Sequence, residues 1–313
     1  MRKAEGGKNI VRYRAEGKKQ NDQRGSALIV TVLLVTLLVT FVTEFAYEVY
    51  IDTTSLSNWS NAQKASLIAR SGQTLSTGYL TALNKGHNTE SRLEFPVERD
   101  FGPGNNLAIR IEDENAKLNI NKIYSDGLTN DKALSSLQKL FEYLNINPGL
   151  ALVIADYIDP DSEPREGHPD SEDNAKNSGL WSVDELKLVN GINKEIFETI
   201  SPYLTVYGDG KININTATLP VLVSLHADMT ETLAKRIIDY RETSPFEDKT
   251  HVQKVSGMEI IGQQIQCSLG WCPMIAVKSA NFRVTAKAAV NEITRVIESV
   301  MDTSMNIQFW REG

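Results

Sequence analysis

Eight carboxylates crowd a stretch of eighteen residues in the middle of the chain, where the only Lys or Arg is Arg165. They are Asp156, Asp159, Asp161, Glu163, Glu166, Asp170, Glu172 and Asp173. In an ordered loop, charges this dense repel one another, and a hard divalent cation with oxygen ligands would relieve the repulsion. Calcium suits a flexible loop best because its coordination geometry is adaptable.

The spacing in this stretch departs from that of an EF-hand. Asp159, Asp161 and Glu163 alternate like the first ligands of an EF-hand loop, but the sixth position is Pro164, where the loop needs Gly. The twelfth position is Asp170, where the loop needs a bidentate Glu. Two interpretations therefore stay open, an irregular calcium site and a solvated acidic loop.

The chain carries no residue pattern typical of an enzyme. Its four histidines are scattered and none belongs to an H-E-x-x-H pair; neither a G-x-S-x-G elbow nor a P-loop is present. We therefore predict that the protein is not an enzyme.

The two cysteines, Cys267 and Cys272, bracket a short loop. Their spacing is not C-x-x-C and no nearby His completes a zinc set. In an exported domain we expect them to form a disulfide that acts as a local clip, because so small a ring removes little chain entropy.

Charge is distributed asymmetrically along the chain, whose net charge is −7. Residues 1–25 carry eight Lys or Arg and three acids, so the remainder has 25 basic and 37 acidic residues, a net charge of −12. A body this acidic repels nucleic acid, so we do not expect nucleic acid as a partner.

An uncharged apolar segment follows the basic N-terminus. Residues 26–43 form, as a helix, a rod of about 27 Å, enough to cross the hydrocarbon core of a membrane. Basic residues precede the segment and Glu44, Glu48 and Asp52 follow it. The N-terminus is therefore expected in the cytoplasm, with the bulk of the chain exported.

The residues before the apolar segment indicate how the anchor is processed. Thr43-Glu44-Phe45 is not the small-x-small site of a signal peptide. Instead, Gln23-Arg24-Gly25 stands directly before Ser26, which resembles a prepilin peptidase site cut after Gly25. A plain membrane anchor is the alternative.

Helical spacing continues beyond the membrane segment. No Pro occurs from Glu44 to Leu83, and small or apolar residues recur at helical intervals until residues 84–86 end the pattern. We predict one long helix, half in lipid and half packed on a globular head. The four tryptophans, Trp59, Trp181, Trp271 and Trp310, are interpreted as packing anchors.

Strand-like alternation occurs in two separated parts of the chain. Residues 93–101 and 107–111 predict a hairpin, and residues 281–290, 294–301 and 306–311 predict three further strands. The sheet is therefore expected to be split in sequence, with residues 113–274 inserted between its parts.

The inserted region contains an internal repeat. Residues 117–121 read KLNIN and residues 211–215 read KININ; each copy leads into helices that end in Ile-Ala-Asp-Tyr or Ile-Ile-Asp-Tyr. A further helix with a Gly exit follows in each copy. These pairs of short helices indicate helix-hairpin-helix-like units.

Helix-hairpin-helix units that bind DNA present hairpin amides to phosphate, backed by basic residues. Here the second hairpin, residues 226–230, has no Gly and contains Asp228, while the first has only Asn147-Pro148-Gly149. A structural use of the motif is favoured.

Together these features resemble the general secretion pathway protein K family, the minor pseudopilin K of type II secretion systems. The resemblance spans nearly all of residues 24–313. Its most specific pieces are the prepilin-type N-terminus, residues 113–121 (DENAKLNIN), residues 156–164 (DYIDPDSEP), residues 212–217 (ININTA) and the ending Phe309-Trp310-Arg311-Glu312.

The family resemblance implies an α+β fold, in which a pilin-like long N-terminal helix and an antiparallel sheet are interrupted by a large α-helical insertion. It implies calcium in the acidic loops, for which the candidate ligands are Asp159, Asp161, Glu163, Glu172 and Asp173. Residues 174–176 (NAK) depart from the aromatic residues usual in the family at this point, and Ser26 stands where many prepilins have Phe.

The resemblance also implies partners and a location: minor pseudopilins I and J, prepilin peptidase, and the inner membrane of a Gram-negative bacterium. Most pilins carry Glu at the fifth mature position, which pairs in lipid with a neighbour's N-terminal amine. Val30 stands there in this chain, which suits a subunit at the tip, where it would initiate and cap the pseudopilus. A type IV pilus minor pilin and a membrane-anchored, DNA-binding helix-hairpin-helix protein are the alternatives.

The expected domains are therefore a leader at residues 1–25, a transmembrane segment at 26–43, pilin-like parts at 44–112 and 275–313, and the inserted domain at 113–274.

Overall fold

The computed structural model describes residues 9–85, 89–97, 101–125, 127–161, 163–165, 171, 175–266 and 274–313, with the backbone alone at residues 9–24 and 82–85. The chain divides into two units, residues 1–61 and residues 62–313. Helix α1 (Asn9–Lys85) provides all the described structure of the first unit and continues into the second. The predicted long helix and its end near residue 85 are confirmed.

In the first unit, α1 carries the apolar segment of residues 26–43. Its large apolar side chains, from Leu28 to Val42, are exposed, and α1 is the one helix in the described ranges that is long and apolar enough to cross a membrane. The threonine hydroxyls of this segment form hydrogen bonds within the helix: Thr36 donates to the carbonyl of Val32 at 2.9 Å and Thr40 to that of Thr36 at 2.9 Å. A helix whose polar groups are satisfied internally is compatible with lipid.

The second unit contains all the described strands. These are β1 (Arg92–Pro96), β2 (Asn105–Asp113), β3 (Leu118–Asn119), β4 (Tyr124–Ser125), β5 (Leu128–Thr129), β6 (Leu204–Thr205), β7 (Ile212–Asn213), β8 (Ile275–Ala276), β9 (Asn281–Val290), β10 (Ile293–Asp302) and β11 (Ile307–Glu312).

Within the described residues, six further α-helices and five 3-10 helices lie between β2 and β9. The α-helices are α2 (Asp131–Tyr143), α3 (Leu150–Ile158), α4 (Lys194–Ile200), α5 (Leu219–Ser224), α6 (Glu231–Thr243) and α7 (Glu259–Gln266). The 3-10 helices are Glu114–Ala116, Ile120–Lys122, Val183–Leu188, Ser201–Tyr203 and Lys249–Lys254.

The main sheet is antiparallel, with strand order β1-β2-β9-β10-β11. Strands β2 and β9 pair along their whole length although the helical region separates them in sequence, from Asn105 opposite Val290 to Asp113 opposite Phe282. The predicted hairpin, the three C-terminal strands and the split of the sheet are therefore confirmed. The finer domain boundaries stay predictions.

Helix α1 packs closely on one face of this sheet because small residues face it. Ala65 and Ala69 are fully buried, and a Cβ added at Gly72 would lie 2.9 Å from the Cβ of Ala286. Next to this contact, the buried side-chain amide of Gln73 donates to the carbonyls of Val284 and Ile297, at 3.1 and 3.0 Å. The amide thereby fixes the register of the helix over β9 and β10.

The helical region consists of two copies of one arrangement. The first copy runs from β3 through α2, α3, the 3-10 helix Val183–Leu188 and α4 to β6, and β3 pairs in parallel with β6. The second copy runs from β7 through α5, α6, the 3-10 helix Lys249–Lys254 and α7 to β8, and β7 pairs in parallel with β8. The repeat seen in the sequence is thus a structural duplication, and both copies share one apolar core.

The interpretation of the tryptophans as packing anchors is wrong for the three that the structure describes. Trp59, Trp181 and Trp310 are 63%, 81% and 43% exposed. The close contact of α1 with the sheet requires small side chains, so indoles could not occupy it. Trp271 lies outside the described residues.

Candidate functional site

The acidic loop begins at the end of α3, where Asp156 is completely buried. Its carboxylate accepts from the guanidinium and, at 3.0 Å, from the backbone N–H of Arg165; it also accepts from the hydroxyl of Ser171. The guanidinium also donates to Asp159 at 2.8 Å and to the hydroxyl of Thr129 at 2.9 Å. Arg165 therefore pairs with the two acids that are buried in the described part of the loop.

One oxygen of Asp159 has no hydrogen-bond partner within the described part of the chain. The residue is 3% exposed, its Oδ2 accepts from Arg165, and its buried Oδ1 is unpaired. Burial raises the pKa of Asp159 against the lowering effect of Arg165, and the negative charges of Asp161 and Asp156 raise it further. An unpaired buried carboxylate oxygen is a group that a hard cation would satisfy.

The remaining predicted ligands are only partly brought together. The carboxylate of Asp161 is exposed and accepts from the backbone N–H of Glu163 at 3.0 Å. Glu172 and Asp173 lie outside the described residues. Within the described ranges, no three Asp, Glu, His or Cys side chains are close enough to hold a metal ion. The calcium site therefore stays a prediction.

The other predicted sites are also untested. Gly25 and Ser26 are exposed in the first unit, within α1. Cys267 and Cys272 lie outside the described residues, so the disulfide stays a prediction.

The KLNIN and KININ motifs are visible in the sequence, but the role of their second asparagines is evident only in the structure. Asn121 accepts from the backbone N–H of Leu180 at 2.7 Å and donates to the carbonyls of Leu180 and Val206, at 2.8 and 3.3 Å.

Asn215 repeats this pattern in the second copy. It accepts from the N–H of Phe246 at 2.8 Å and donates to the carbonyls of Phe246 and Val277, both at 2.9 Å. Each asparagine thus clamps the start of its copy to two distant backbone segments, and the repeated spacing was the signal that could have revealed it.

Two neighbouring acids fasten the copies to the end of β2. Asp113, 3% exposed, accepts from the hydroxyls of Ser279 and Thr216 and, more weakly, from the amide of Asn213 at 3.4 Å. It is thereby tied to the second copy. Burial raises the pKa of Asp113, while the hydrogen bonds of Ser279 and Thr216 oppose that rise.

Glu114 serves the first copy in the same way but with charged partners. It accepts from the hydroxyl of Thr205 in β6 and pairs with Lys117 and Arg283, both at 2.9 Å. Burial acts to raise the pKa of Glu114, but the charges of Lys117 and Arg283 bring it below its ordinary value. The motif Asp113-Glu114-Asn115 is therefore the junction between sheet and helical region.

Comparisons with known proteins agree with this architecture. Family models described as type II secretion system protein K match residues 116–209 and residues 212–266, which correspond to the two copies. The chain is 27% identical to type II secretion system protein K of Pseudomonas aeruginosa over 258 residues, covering 74% of this chain and 76% of that protein. It is 26% identical to the protein K of Pectobacterium carotovorum, covering 70% and 75%.

A solved structure shares the fold. In the crystal structure of the GspK-GspI-GspJ complex from the type II secretion system of enterotoxigenic Escherichia coli, one chain matches with a TM-score of 0.64 at 18% identity, covering 84% of this chain and 99% of that one. The two chains therefore share one fold, a long N-terminal helix on a mixed helix-and-sheet body. In sequence, the chain is similar to the type II secretion system protein K family.

Proposed function

We propose that the chain is a minor pseudopilin of a type II secretion system, a structural component and not an enzyme. The match of both helical copies to protein K carries the proposal, and it favours type II secretion over a type IV pilus. The exposed apolar residues of α1 supply the element with which a pseudopilin is anchored and assembled.

In this proposal α1 crosses the inner membrane once, with the N-terminus in the cytoplasm and residues 44–313 in the periplasm. Prepilin peptidase cuts after Gly25, and the freed helix packs against those of pseudopilins I and J. These partners are chosen because the solved structure that shares the fold is a complex of GspK with GspI and GspJ.

The proposed place of the chain is the pseudopilus tip, where it initiates and caps assembly for export across the outer membrane. Val30 supports this because it offers no carboxylate to a subunit above it.

The helical copies are proposed to be helix-hairpin-helix-like units with a structural role. The hairpin of the second copy is bound by the first: Lys139 in α2 donates to the carbonyls of His226, at 2.5 Å, Ala227 and Met229, at 3.0 Å. A lysine held by the hairpin's carbonyls ties the copies to each other, which argues against use of that hairpin for DNA.

The test is the N-terminal sequence and mass of the protein from cells with and without active prepilin peptidase, together with secretion by a strain lacking the gene. We expect a mature chain that starts at Ser26 only when the peptidase is present, and secretion that returns only with a cleavable copy. A chain that keeps residues 1–25 in both strains, or secretion that persists without the protein, contradicts the proposal. The uncleavable copy is Gly25→Ala, which changes the residue after which the peptidase cuts. Gly78→Ala, at an exposed glycine with free space around it, is its control.

We also propose that the acidic loop binds calcium through oxygens of Asp159, Asp161, Glu163, Glu172 and Asp173. The unpaired buried Oδ1 of Asp159 supports this, and calcium there would balance the carboxylates that Arg165 leaves unneutralised. Calcium would order the loop.

Thermal unfolding of the full chain in detergent, with excess calcium or with EDTA, tests this site. A ligand at about one hundred times its dissociation constant stabilises the folded state by about 2.7 kcal/mol, so calcium should raise the midpoint. The rise should disappear in Asp161→Asn/Glu172→Gln and persist in Asp239→Asn, an exposed acid of the second copy. Equal midpoints with calcium and EDTA would exclude the site.

A further inference from the structure

Strand β11 is an edge of the main sheet, with β10 on one side and no strand of the described chain on the other. Gly313 exchanges both backbone hydrogen bonds with Val296, at 2.9 and 3.1 Å. Because antiparallel strands alternate, Trp310 and Glu312 direct their backbone groups away from β10, whereas Gln308 lies at a bulge where the register shifts between Val300 and Met301. Two residues therefore offer backbone donors and acceptors to an added strand.

Large exposed side chains flank this free edge on the face that packs on α1. Trp310 lies opposite Ser299, whose hydroxyl donates to Gln73 of α1 at 2.7 Å. Trp310 is 43% exposed, and Ile307 in the same strand is also exposed. Leu67 of α1 is exposed beside Ser66, which binds Glu312 of β11 at 2.5 Å.

An exposed indole also lies on the opposite face. The ring of Phe309 in β11 is 6.2 Å from that of Tyr207, whose hydroxyl donates to the carbonyl of Trp181 at 3.2 Å. The indole of Trp181 is almost wholly exposed, contacted by the ammonium of Lys176 at 4.1 Å. On this face an added strand would meet Phe309 and also the charged Arg311, which pairs with Glu298 at 2.6 Å.

The fold itself does not require an apolar residue at Trp181. Leu180 and Phe246 are equivalent, since each binds the second asparagine of its copy through its N–H and carbonyl. The residue that follows is Trp181 in the first copy and Glu247 in the second. The second copy folds with a charge at this position, so the fold of a copy does not need the indole.

The opposite edge of the sheet is protected against pairing. In β1, Arg92 and Glu94 form an ion pair at 3.0 Å, Arg110 of β2 joins Glu94 at 2.9 Å, and Pro96 ends the strand. Charged side chains and Pro are the usual devices that block an edge. Strand β11 has three apolar residues and no Pro. Its two charged side chains pair with β10 and α1, Arg311 with Glu298 at 2.6 Å and Glu312 with Arg70 at 2.9 Å, so its edge is less protected than that of β1.

We propose that β11 is a docking edge that accepts a β-strand of a partner pseudopilin, with bulky apolar side chains at alternate positions. A pseudopilin is the occupant because β11 is fastened to α1, through Glu312 with Ser66 and Arg70, and α1 is the helix that the partners' helices must meet. The inference rests on the proposed function and adds the surface through which the partner is held. Backbone hydrogen bonds provide affinity and the two flanking faces provide specificity.

The test combines binding and hydrogen exchange, using the full chain in detergent and purified pseudopilins I and J of the same secretion system. We expect exchange in peptides that cover residues 307–312 to slow at least tenfold when the complex forms, with no change in residues 92–96. Trp310→Lys should weaken binding at least tenfold. Ile260→Lys, at a 72% exposed position in α7, is the matched control and should stay within twofold.

Each outcome decides the proposal. A complex that forms without slowing exchange in β11, or that binds Trp310→Lys as tightly as the wild type, overturns the docking edge and leaves the proposed function intact. If the wild-type chain forms no complex with I or J, the partner assignment fails and the docking edge fails with it. The exchange measurement on the wild-type chain needs no variant, so a folding defect in Trp310→Lys does not obscure the result.

Discussion

Asp156 of the first copy and Asp239 of the second occupy equivalent places at the ends of α3 and α6, yet one is completely buried and the other exposed. The difference comes from the connection after each helix. Residues 159–182 connect α3 to the next 3-10 helix, whereas residues 244–248 are enough after α6. The longer connection folds back so that the guanidinium of Arg165 donates to the carboxylate of Asp156. Because the repeated skeleton needs only the short connection, the acidic loop is an addition that the skeleton does not require.

The features that the copies share are those that hold the skeleton together. Asn121 and Asn215 make the same set of hydrogen bonds, and Gly191 and Gly257 both adopt positive φ, 84° and 88°, after their 3-10 helices. Substitutions at shared positions should therefore have similar effects in both copies, and substitutions at differing positions should not.

The largest effect is expected for Asn215→Ala. The side chain is fully buried and its loss leaves the N–H and carbonyl of Phe246 and the carbonyl of Val277 without a partner. At about 1–3 kcal/mol for each unsatisfied buried group, we expect about 3–5 kcal/mol lost. Asn121→Ala should lose somewhat less because that site is half-buried.

Urea unfolding of the full chain in detergent, followed by tryptophan fluorescence, measures this prediction. Asn193→Ala is the control, because Asn193 caps α4 at an exposed site and its loss should cost only about 1 kcal/mol. Equal losses at Asn193 and Asn215 would show that Asn215 does not act as a clamp.

The second prediction concerns the acids that distinguish the two copies. Asp156→Ala leaves the partly buried Arg165 with fewer partners, and removal of one member of a buried pair costs about 3–5 kcal/mol at most. We expect about 2–4 kcal/mol, because Asp159 remains bonded to the same guanidinium. Asp239→Ala should change the free energy of unfolding by less than about 0.5 kcal/mol. Similar losses from the two variants in urea unfolding would contradict the assignment of Asp156 as a buried partner of Arg165.

Some features of this fold could be predicted from the sequence and others could not. The strands, the long helix and the repeat follow from periodicity, which depends only on residues near in sequence. The clamp of Asn215 joins it to Phe246 and Val277, and the salt bridges of Glu114 reach Arg283. Pairing across such separations has no local signal.

For the tryptophans, the sequence suggested burial that the structure does not show. Residue type favours burial for Trp59, Trp181 and Trp310, but whether an indole is buried depends on what the fold brings against it. The acidic loop shows a third case, since charge density indicates a site but not which carboxylates converge.

The third prediction compares the two acids that fasten the copies, through the pH dependence of stability. The folded-state pKa of Glu114 lies below 4.5, so its contribution is complete above that pH and is lost as the pH falls through the folded-state value. The pKa of Asp113 is raised above 3.8, so the folded chain is favoured as the pH falls towards that range.

We expect Glu114→Gln to cost about 2 kcal/mol at pH 7 and less below pH 4.5, since it removes charged hydrogen bonds to Lys117 and Arg283. The cost of Asp113→Asn should instead increase as the pH falls. Urea unfolding of both variants and the wild type across this pH range gives the cost of each substitution as a function of pH. If the two costs changed with pH in the same direction, the opposite pKa directions would be refuted.

The fourth prediction tests the equality of the copies. An alanine Cβ at Gly191 would lie 2.7 Å from Leu150 and one at Gly257 would lie 2.8 Å from Leu233, in both cases at positive φ. Gly191→Ala and Gly257→Ala should each cost about 1–2 kcal/mol because the left-handed conformation disfavours a Cβ. Gly78→Ala in α1, where nothing surrounds the added Cβ, should be neutral or stabilising. Losses that differ more than twofold between Gly191 and Gly257 would mean that the copies have diverged at this turn.

The smallest effect on stability is expected where the copies differ most on their surface. Trp181→Glu places in the first copy the residue that the second copy has at position 247. The side chain is 81% exposed and its contact with Lys176 is a surface cation–π interaction, so the loss should stay below about 1 kcal/mol. The same variant should weaken binding of a partner pseudopilin, because it places a charge beside the open edge of β11. A stability loss above about 2 kcal/mol would assign Trp181 to the fold, whereas an unchanged fold with weakened binding would assign it to assembly.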